Sequence, residues 1–256
     1  MIRGASPRVR LSAVVIAGNE EARLRECLLS LAWVDEIIVI DAESTDKTAA
    51  IAHEFTDHVF VRPWPGFAEQ KNFGIAQASG EWILSVDADE EVSSELQAEI
   101  LAVISRADAA AGYRVPRKNI FWGRWIRHGR LYPDWQLRLF RRGRGRFVGH
   151  RVHESVEVDG PVGRLAAPLV HRSYRDVGDF LERTNRYAGL AADEWVQQGR
   201  GVRARDLVLG PPARFLSMYI LHRGFLDGWR GFLLAVLYAY YVFVRWVKVW
   251  EKRVKI

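Results

Sequence analysis

The stretch Ile83-Leu84-Ser85-Val86-Asp87-Ala88-Asp89-Glu90-Glu91 constrains what this chain can fold into more than any other. A short apolar run stopped by acids is a strand buried in a sheet rather than a surface helix. Its C-terminal end stands at the rim of that sheet with two carboxylates, Asp87 and Asp89. Carboxylates spaced i, i+2 point the same way, and just past the strand they can converge on one hard cation. Standing alone, such a pair is more often a solvated acidic turn. Its neighbours decide between the two.

Strands and helices alternate along the first half. Leu11 to Ala17 has strand character, and Glu20 to Leu31 places apolar residues at 24, 28 and 31, a helical stripe. Glu36 to Ile40 is a β-branched run ending in Asp41, and Ser44-Thr45-Asp46 supplies an N-cap for a helix through His53. Val59 to Val61 predicts a third strand, Phe67 to Ala78 a helix, Trp82 to Val86 the central strand and Ser93 to Ile104 another helix. Repeated β-α units predict an α/β fold, a mostly parallel sheet flanked by helices, with ligands at the C-terminal strand ends. Polar residues gather at those ends: Asn19 and Glu20 after the first strand, Asp41 and Glu43 after the second, Asp87 and Asp89 after the fourth. The layout suits a nucleotide. The first turn carries only Gly18, however, and no Gly-x-x-x-x-Gly-Lys-Ser/Thr loop occurs, which removes dinucleotide and P-loop chemistry.

Charge divides the chain. Residues 1 to 110 hold 9 Lys/Arg and 19 Asp/Glu, and residues 111 to 256 hold 28 and 12, so net −10 is followed by net +16. An acidic, cation-using half is thus joined to one that faces anions: phosphates, an acidic glycan or a membrane surface. No recognition-helix or zinc-ligand pattern accompanies the basic residues, so nucleic acid is not an expected partner. The single cysteine, Cys27, lies among Leu24, Leu28 and Leu31 and reads as core packing. Arg3, Arg8 and Arg10 before Leu11 to Ala17 imitate a signal peptide loosely, but the apolar piece runs into Asn19-Glu20-Glu21 with no small-residue cleavage site. A first strand and a cytoplasmic location are expected instead.

The segments Val14-Val15-Ile16-Ala17-Gly18-Asn19-Glu20, Val39-Ile40-Asp41-Ala42-Glu43-Ser44-Thr45-Asp46, Gln70-Lys71-Asn72-Phe73-Gly74 and Ser85-Val86-Asp87-Ala88-Asp89-Glu90 resemble, in order and spacing, family 2 glycosyltransferases of the GT-A fold. Arg62-Pro63-Trp64-Pro65-Gly66-Phe67, Gln136-Leu137-Arg138-Leu139-Phe140 and His153-Glu154 resemble the lipopolysaccharide-core β-1,4-glucosyltransferase branch. The resemblance implies a UDP-sugar donor and a bound Mg2+ or Mn2+. It assigns Asp41 to the nucleoside, with Ala17, Asn19, Glu20 and Glu43 in the same pocket, Asp87 to the ribose side and the metal, and Asp89 to the metal. Lys71 matches a position where arginine is commoner, which keeps the charge and gives up bidentate geometry.

Inverting transfer needs a base to take the acceptor hydroxyl's proton. Glu154 matches the family's His-Glu pair and is the first candidate; Asp134, in Tyr132-Pro133-Asp134-Trp135, is the second. His-Glu-x-x-His is absent, so a zinc protease is not indicated. His153 is expected to reach the diphosphate or the metal; His171, which closes the apolar run Leu165 to Val170, could do the same, but as a lone histidine it reads first as structural. Arginines in the Arg138 to Phe147 segment, Arg138 and Arg141 among them, suit phosphate or carboxylate groups of an acceptor. A solvated basic hairpin is the competing reading.

After residue 175 the chain changes character. Asp176 to Gln198 reads as an amphipathic helix, Gly199-Arg200-Gly201 breaks it, and Pro211-Pro212 starts a new segment. Phe232 to Val244 is an apolar run of 13 residues, short of the roughly 20 that span a bilayer. With Arg223, Arg230, Arg245 and Lys248 around it, a helix lying in the headgroup layer of the inner membrane is expected; a homodimer interface or a lid on the catalytic domain is the alternative. The division expected is therefore a GT-A domain over 1–175, donor half 1–110 and acceptor half 111–175, and a helical region over 176–256. The function expected is transfer of a hexose, from UDP-glucose, to a lipopolysaccharide-core or related glycolipid acceptor. A capsule or undecaprenyl-linked acceptor, or a silent sugar-nucleotide or membrane-binding protein, would share most of these features.

Overall fold

The computed structural model describes residues 10–149 and 155–254. The chain forms two compact units: Met1–Arg117 with Trp135–His171, and Lys118–Asp134 with Arg172–Ile256. Residues 118–134 group with the C-terminal helices rather than with the strands that flank them. Phe121 and Ile126 from that segment share a buried cluster with Leu234, so the pairing follows apolar burial.

In the first unit, strands β1 (Leu11–Ala17), β2 (Glu36–Asp41), β3 (Val59–Val61) and β4 (Trp82–Asp87) alternate with helices α1 (Leu24–Leu29), α2 (Thr48–His53) and α3 (Phe67–Gln77). There follow β5 (Glu90–Val92), α4 (Ser94–Ile104), β6 (Gly112–Phe121), β7 (Arg124–Trp125), β8 (Asp134–Arg141), β9 (Gly145–Val148), β10 (Ser155–Val158), β11 (Val162–Arg164) and β12 (Leu169–Tyr174). The main sheet runs β3-β2-β1-β4-β8-β6-β12-β5. Its first four strands are parallel, β8 joins β4 antiparallel, and β12 pairs antiparallel with β5. The α/β sheet expected from the sequence is present, extended by antiparallel strands.

Every residue of β1 is buried, the mark of a central parallel strand. Ala13, Val15 and Ala17 face Leu24, Cys27, Leu96 and Ile100; Val14 and Ile16 face Ile38, Ile40 and Phe73. Cys27 is thus core, as expected. Gly74 of α3 lets that helix close on the sheet, since a Cβ there would lie 2.5 Å from Val14 Cγ1. Helix α1 is shorter than expected because Glu20 to Arg23 form a turn whose groups are spent elsewhere: the Glu20 amide donates to Thr48 Oγ1 and its carboxylate accepts from Arg23. Helix α2 starts at Thr48 because Asp46 Oδ1 accepts the Thr48 amide.

In the second unit, α5 (Val177–Gln197) is N-capped by Asp176, which accepts from the Asp179 amide at 2.8 Å. Helix α6 (Ala204–Leu216) continues into a π-helical turn, Ser217–Leu221. Pro211 and Pro212 lie inside α6 rather than opening a segment. A 3-10 turn, Gly224–Asp227, leads into α7 (Gly228–Val254). At 27 residues, α7 is twice the apolar run seen in the sequence, because it continues through the Arg245 to Arg253 segment. By length and composition alone it is sufficient to cross a membrane. Gly231 brings its start against the 3-10 turn: a Cβ there would stand 1.9 Å from the Gly224 carbonyl oxygen.

Candidate active site

Strand β4 is buried until its last residue, so Asp87 emerges where the sheet ends, and the two-residue turn to β5 brings Asp89 beside it. That turn is fixed by Glu90, which is fully buried and accepts the Asp87 amide at 3.0 Å. Asp87 is gripped from two sides: Lys71 Nζ of α3 lies 2.9 Å from Oδ1, and Arg138 Nη2 of β8 donates to Oδ2 at 2.5 Å. Arg138 also donates to Glu90 at 2.6 Å, with Arg117 3.6 Å away. Lys71 and Arg138 are themselves buried. Helix α3 is tied to β9 by a reciprocal pair of hydrogen bonds between the Asn72 side chain and the Phe147 backbone.

Asp89 Oδ2 lies 3.5 Å from His171 Nε2 and 3.9 Å from Arg23 Nη1. Burial disfavours both carboxylate charges, yet Arg138 and then Lys71 outweigh it at Asp87 and hold that carboxyl well below the usual range. At Asp89 burial is overcome chiefly by His171, which holds the carboxyl down to about 2. Burial likewise pushes the Cys27 thiol up, keeping it a neutral donor to the Asp87 carbonyl oxygen.

Beside this cluster, the loops after β1 and β2 are laced together. Asp41 is buried and accepts from the Ser44 amide and hydroxyl at 2.9 and 2.5 Å. Asn19, in the left-handed region at φ 56°, accepts the Thr45 amide and donates its own amide to Ser44 Oγ. Glu43 is exposed at φ 51°, directly past Asp41. Ala17 closes β1, and its carbonyl accepts the Ala42 amide.

Two carboxylates with an imidazole close by make a hard donor set that fits Mg2+ or Mn2+. Among the described residues no three His, Cys, Asp or Glu side chains form a complete cage. Magnesium does not need one, because it keeps waters and takes substrate oxygens beside one or two carboxylates.

The remaining expected residues fall in different places. Arg138 joins the carboxylates, but Arg141 does not: it pairs with Trp82, at the opposite end of β4, and its guanidinium lies 4.7 Å over the Trp82 ring. Antiparallel β8 runs away from the site, so residues three apart on it are separated by about 10 Å. The rest of the basic segment is committed to its hairpin, with Arg142 donating to Gly80 and Arg144 and Arg146 paired with Asp159 and Glu157. Asp134 opens β8 and belongs to the second unit. His153 and Glu154 lie outside the described residues. Glu90 and Arg23 join the cluster without having been expected there, and His171 joins it in the second of the two roles its sequence position allows. For Arg23 a signal existed, the i, i+3 spacing from Glu20; His171 arrives only through its pairing with Glu90 across β12 and β5.

Comparison with known proteins agrees with this geometry. Residues 12–157 match the family described as Glycosyl transferase family 2. The chain is similar to the lipopolysaccharide core biosynthesis glycosyltransferase LpsC of Rhizobium meliloti, 32% identical over 253 residues, 96% of this chain and 94% of that protein. An uncharacterized glycosyltransferase of Rickettsia felis is 31% identical over 260 residues, covering 96% and 91%. Among solved structures, S. aureus TarS 1-349 superposes with a TM-score of 0.49 at 17% identity, over 97% of this chain and 92% of that one. A family match over more than half of the chain, together with a relative 32% identical over nearly the whole of both chains, makes the chain a member of glycosyltransferase family 2.

Proposed function

We propose that this glycosyltransferase is an inverting, metal-dependent hexosyltransferase that uses UDP-glucose and acts on a lipopolysaccharide-core or related glycolipid. The observation that carries the proposal is the Asp87 and Asp89 pair, kept ionised at the end of β4 with Lys71 and Arg138 against it. The acceptor is taken from the role for which the rhizobial relative is named, a protein matched over nearly all of both chains. A lipid-borne acceptor suits attachment to the inner membrane through the C-terminal region, with the catalytic unit on the cytoplasmic side.

Asp89, with Asp87, would hold Mg2+ or Mn2+. Bound there, the ion supplies positive charge to the departing diphosphate. Lys71 and Arg138 keep Asp87 deprotonated and aimed, and add cationic charge to the pocket. Asp41 and Asn19, with Ala17, Glu20 and Glu43, take the nucleoside. Glu154 receives the acceptor proton, with Asp134 the other candidate for that role.

A UDP-release assay on the full chain, with Mg2+, Mn2+ or chelator, tests this. Asp89→Ala is expected to lower turnover by about 10²–10³ while leaving the fold intact. Unchanged turnover would remove the metal assignment. Glu154→Gln should bind donor and fail to transfer it; the same result from Asp134→Asn, with Glu154→Gln active, would exchange their roles.

A further inference from the structure

Helix α7 leaves one face uncovered along its whole length. Trp229, Phe232, Val236, Tyr240, Phe243 and Trp250 are each more than 40% exposed. They recur three, four or seven residues apart, which sets them on one side of a helix. The other side is closed. Gly231, Leu234, Ala235, Leu237 and Val249 are buried, while Tyr238 and Trp246 pack on Phe180 and Trp195 of α5. At the turn into α7 the apolar surface widens, with Leu216, Ile220, Leu221, Phe225 and Leu226 between 45% and 75% exposed. A patch this continuous marks an interaction surface.

Charge selects the partner. From 207 to 250 the sequence holds five Lys/Arg and one acid, Asp227. Its carboxylate is turned inward: it accepts the Arg127 and His128 amides and meets His128 Nδ1 at 3.1 Å. Up to Trp250, then, no acid borders the patch, although the exposed Glu251 follows at its end, and the cations that do border it are Arg223 and Arg230. Arg223 is exposed between Leu221 and Phe225, and Arg230 lies 4.7 Å over the Trp229 ring. A second copy would bring like charges together, whereas an anionic bilayer complements them. Orientation follows from α5, which lies against α7 as far as the Asp193 to Lys252 ion pair. A spanning α7 would drag the acids of α5 into hydrocarbon, which is costly.

We propose that this face of the second unit is a flat attachment surface for an anionic bilayer, with α7 parallel to the membrane plane. The inference rests on the reading of the C-terminal region as membrane-attached, and adds which face makes the contact and the lipid charge it selects.

The test is co-sedimentation of the full chain with phosphatidylcholine vesicles, with or without phosphatidylglycerol. Phosphatidylglycerol is expected to strengthen binding about tenfold or more, and L226E/W229E to remove that gain with helicity by circular dichroism unchanged. L29E, on an exposed apolar residue of the first unit, should bind as the unsubstituted chain does. A chain that binds no vesicle refutes membrane attachment itself. If the chain binds and L226E/W229E binds equally well, attachment stands and the face is wrong. A lipid-free dimer split by L226E/W229E in sedimentation velocity assigns the face to a second copy, and resistance to alkaline extraction assigns α7 to spanning; either overturns the proposal.

Discussion

At the scale of residues, the site depends on one guanidinium. Arg138 is buried and bridges Asp87 and Glu90, so Arg138→Met leaves Asp87 with Lys71 and Glu90 with the more distant Arg117, and should cost about 3–5 kcal/mol of stability. Arg138→Lys keeps a charge but cannot fork to both acids, and an intermediate loss is expected. Urea denaturation of the two variants measures this; equal midpoints would show that the network carries no stability. Adding Glu90→Gln to Arg138→Met should recover part of the loss, a coupling that a double-mutant cycle reads directly. These residues also mark the limit of what the sequence discloses. Asp87 and Asp89 were legible because an apolar run ending in acids is a local pattern. Glu90 was not, and His171 only as the lesser of two readings, since their place depends on which strands pair and in what register, and a one-residue slip would turn each side chain to the other face. Arg141 lies away from Arg138 for a related reason: proximity in sequence says nothing about direction along an antiparallel strand.

At the scale of elements, local chemistry fixed most boundaries. Ser93 caps α4 and Asp176 caps α5, both visible as side chains that accept an amide three residues on. Asp176→Ala should cost about 1 kcal/mol in the thermal unfolding of the chain. Asp179 adds a pH dependence. Burial raises its pKa, but the Arg175 amide and Arg183 more than offset that and lower it from its ordinary value. A depressed folded value contributes stability that is present above the unfolded carboxyl's pKa, about 3.9. That contribution fades as pH falls through the folded value. Stability measured from pH 6 to pH 2 should therefore drop less steeply in Asp179→Asn, and parallel curves would dismiss the effect. In α3, Gly74→Ala places a methyl 2.5 Å from Val14 and 3.0 Å from Ile40; about 1–3 kcal/mol of strain is expected, read as a lower denaturation midpoint. Helix α6 passes the sequence's strongest stop signal, Pro211-Pro212, because tertiary packing overrides propensity: a Cβ at Gly210 would lie 3.4 Å from Trp246 and Val242 of α7, and Phe215 meets Phe232 edge-on.

At the scale of the whole molecule, composition announced two halves of opposite charge, and the chain divides instead into two units that are interleaved. The segment 118–134 leaves the first unit and gives Phe121 and Ile126 to the cluster around Leu234. A chain ending before Gly228 would strip that cluster of its α7 side, and size-exclusion chromatography should find it aggregated, where the full chain with L226E/W229E elutes as a discrete species. The interleaving also orders events during synthesis. Phe121 leaves the ribosome more than a hundred residues ahead of Leu234, a delay on the order of ten seconds at ordinary elongation speeds. Through that interval the nascent 118–134 loop has no apolar host of its own, and a chaperone that shields short aromatic segments would find its binding site there.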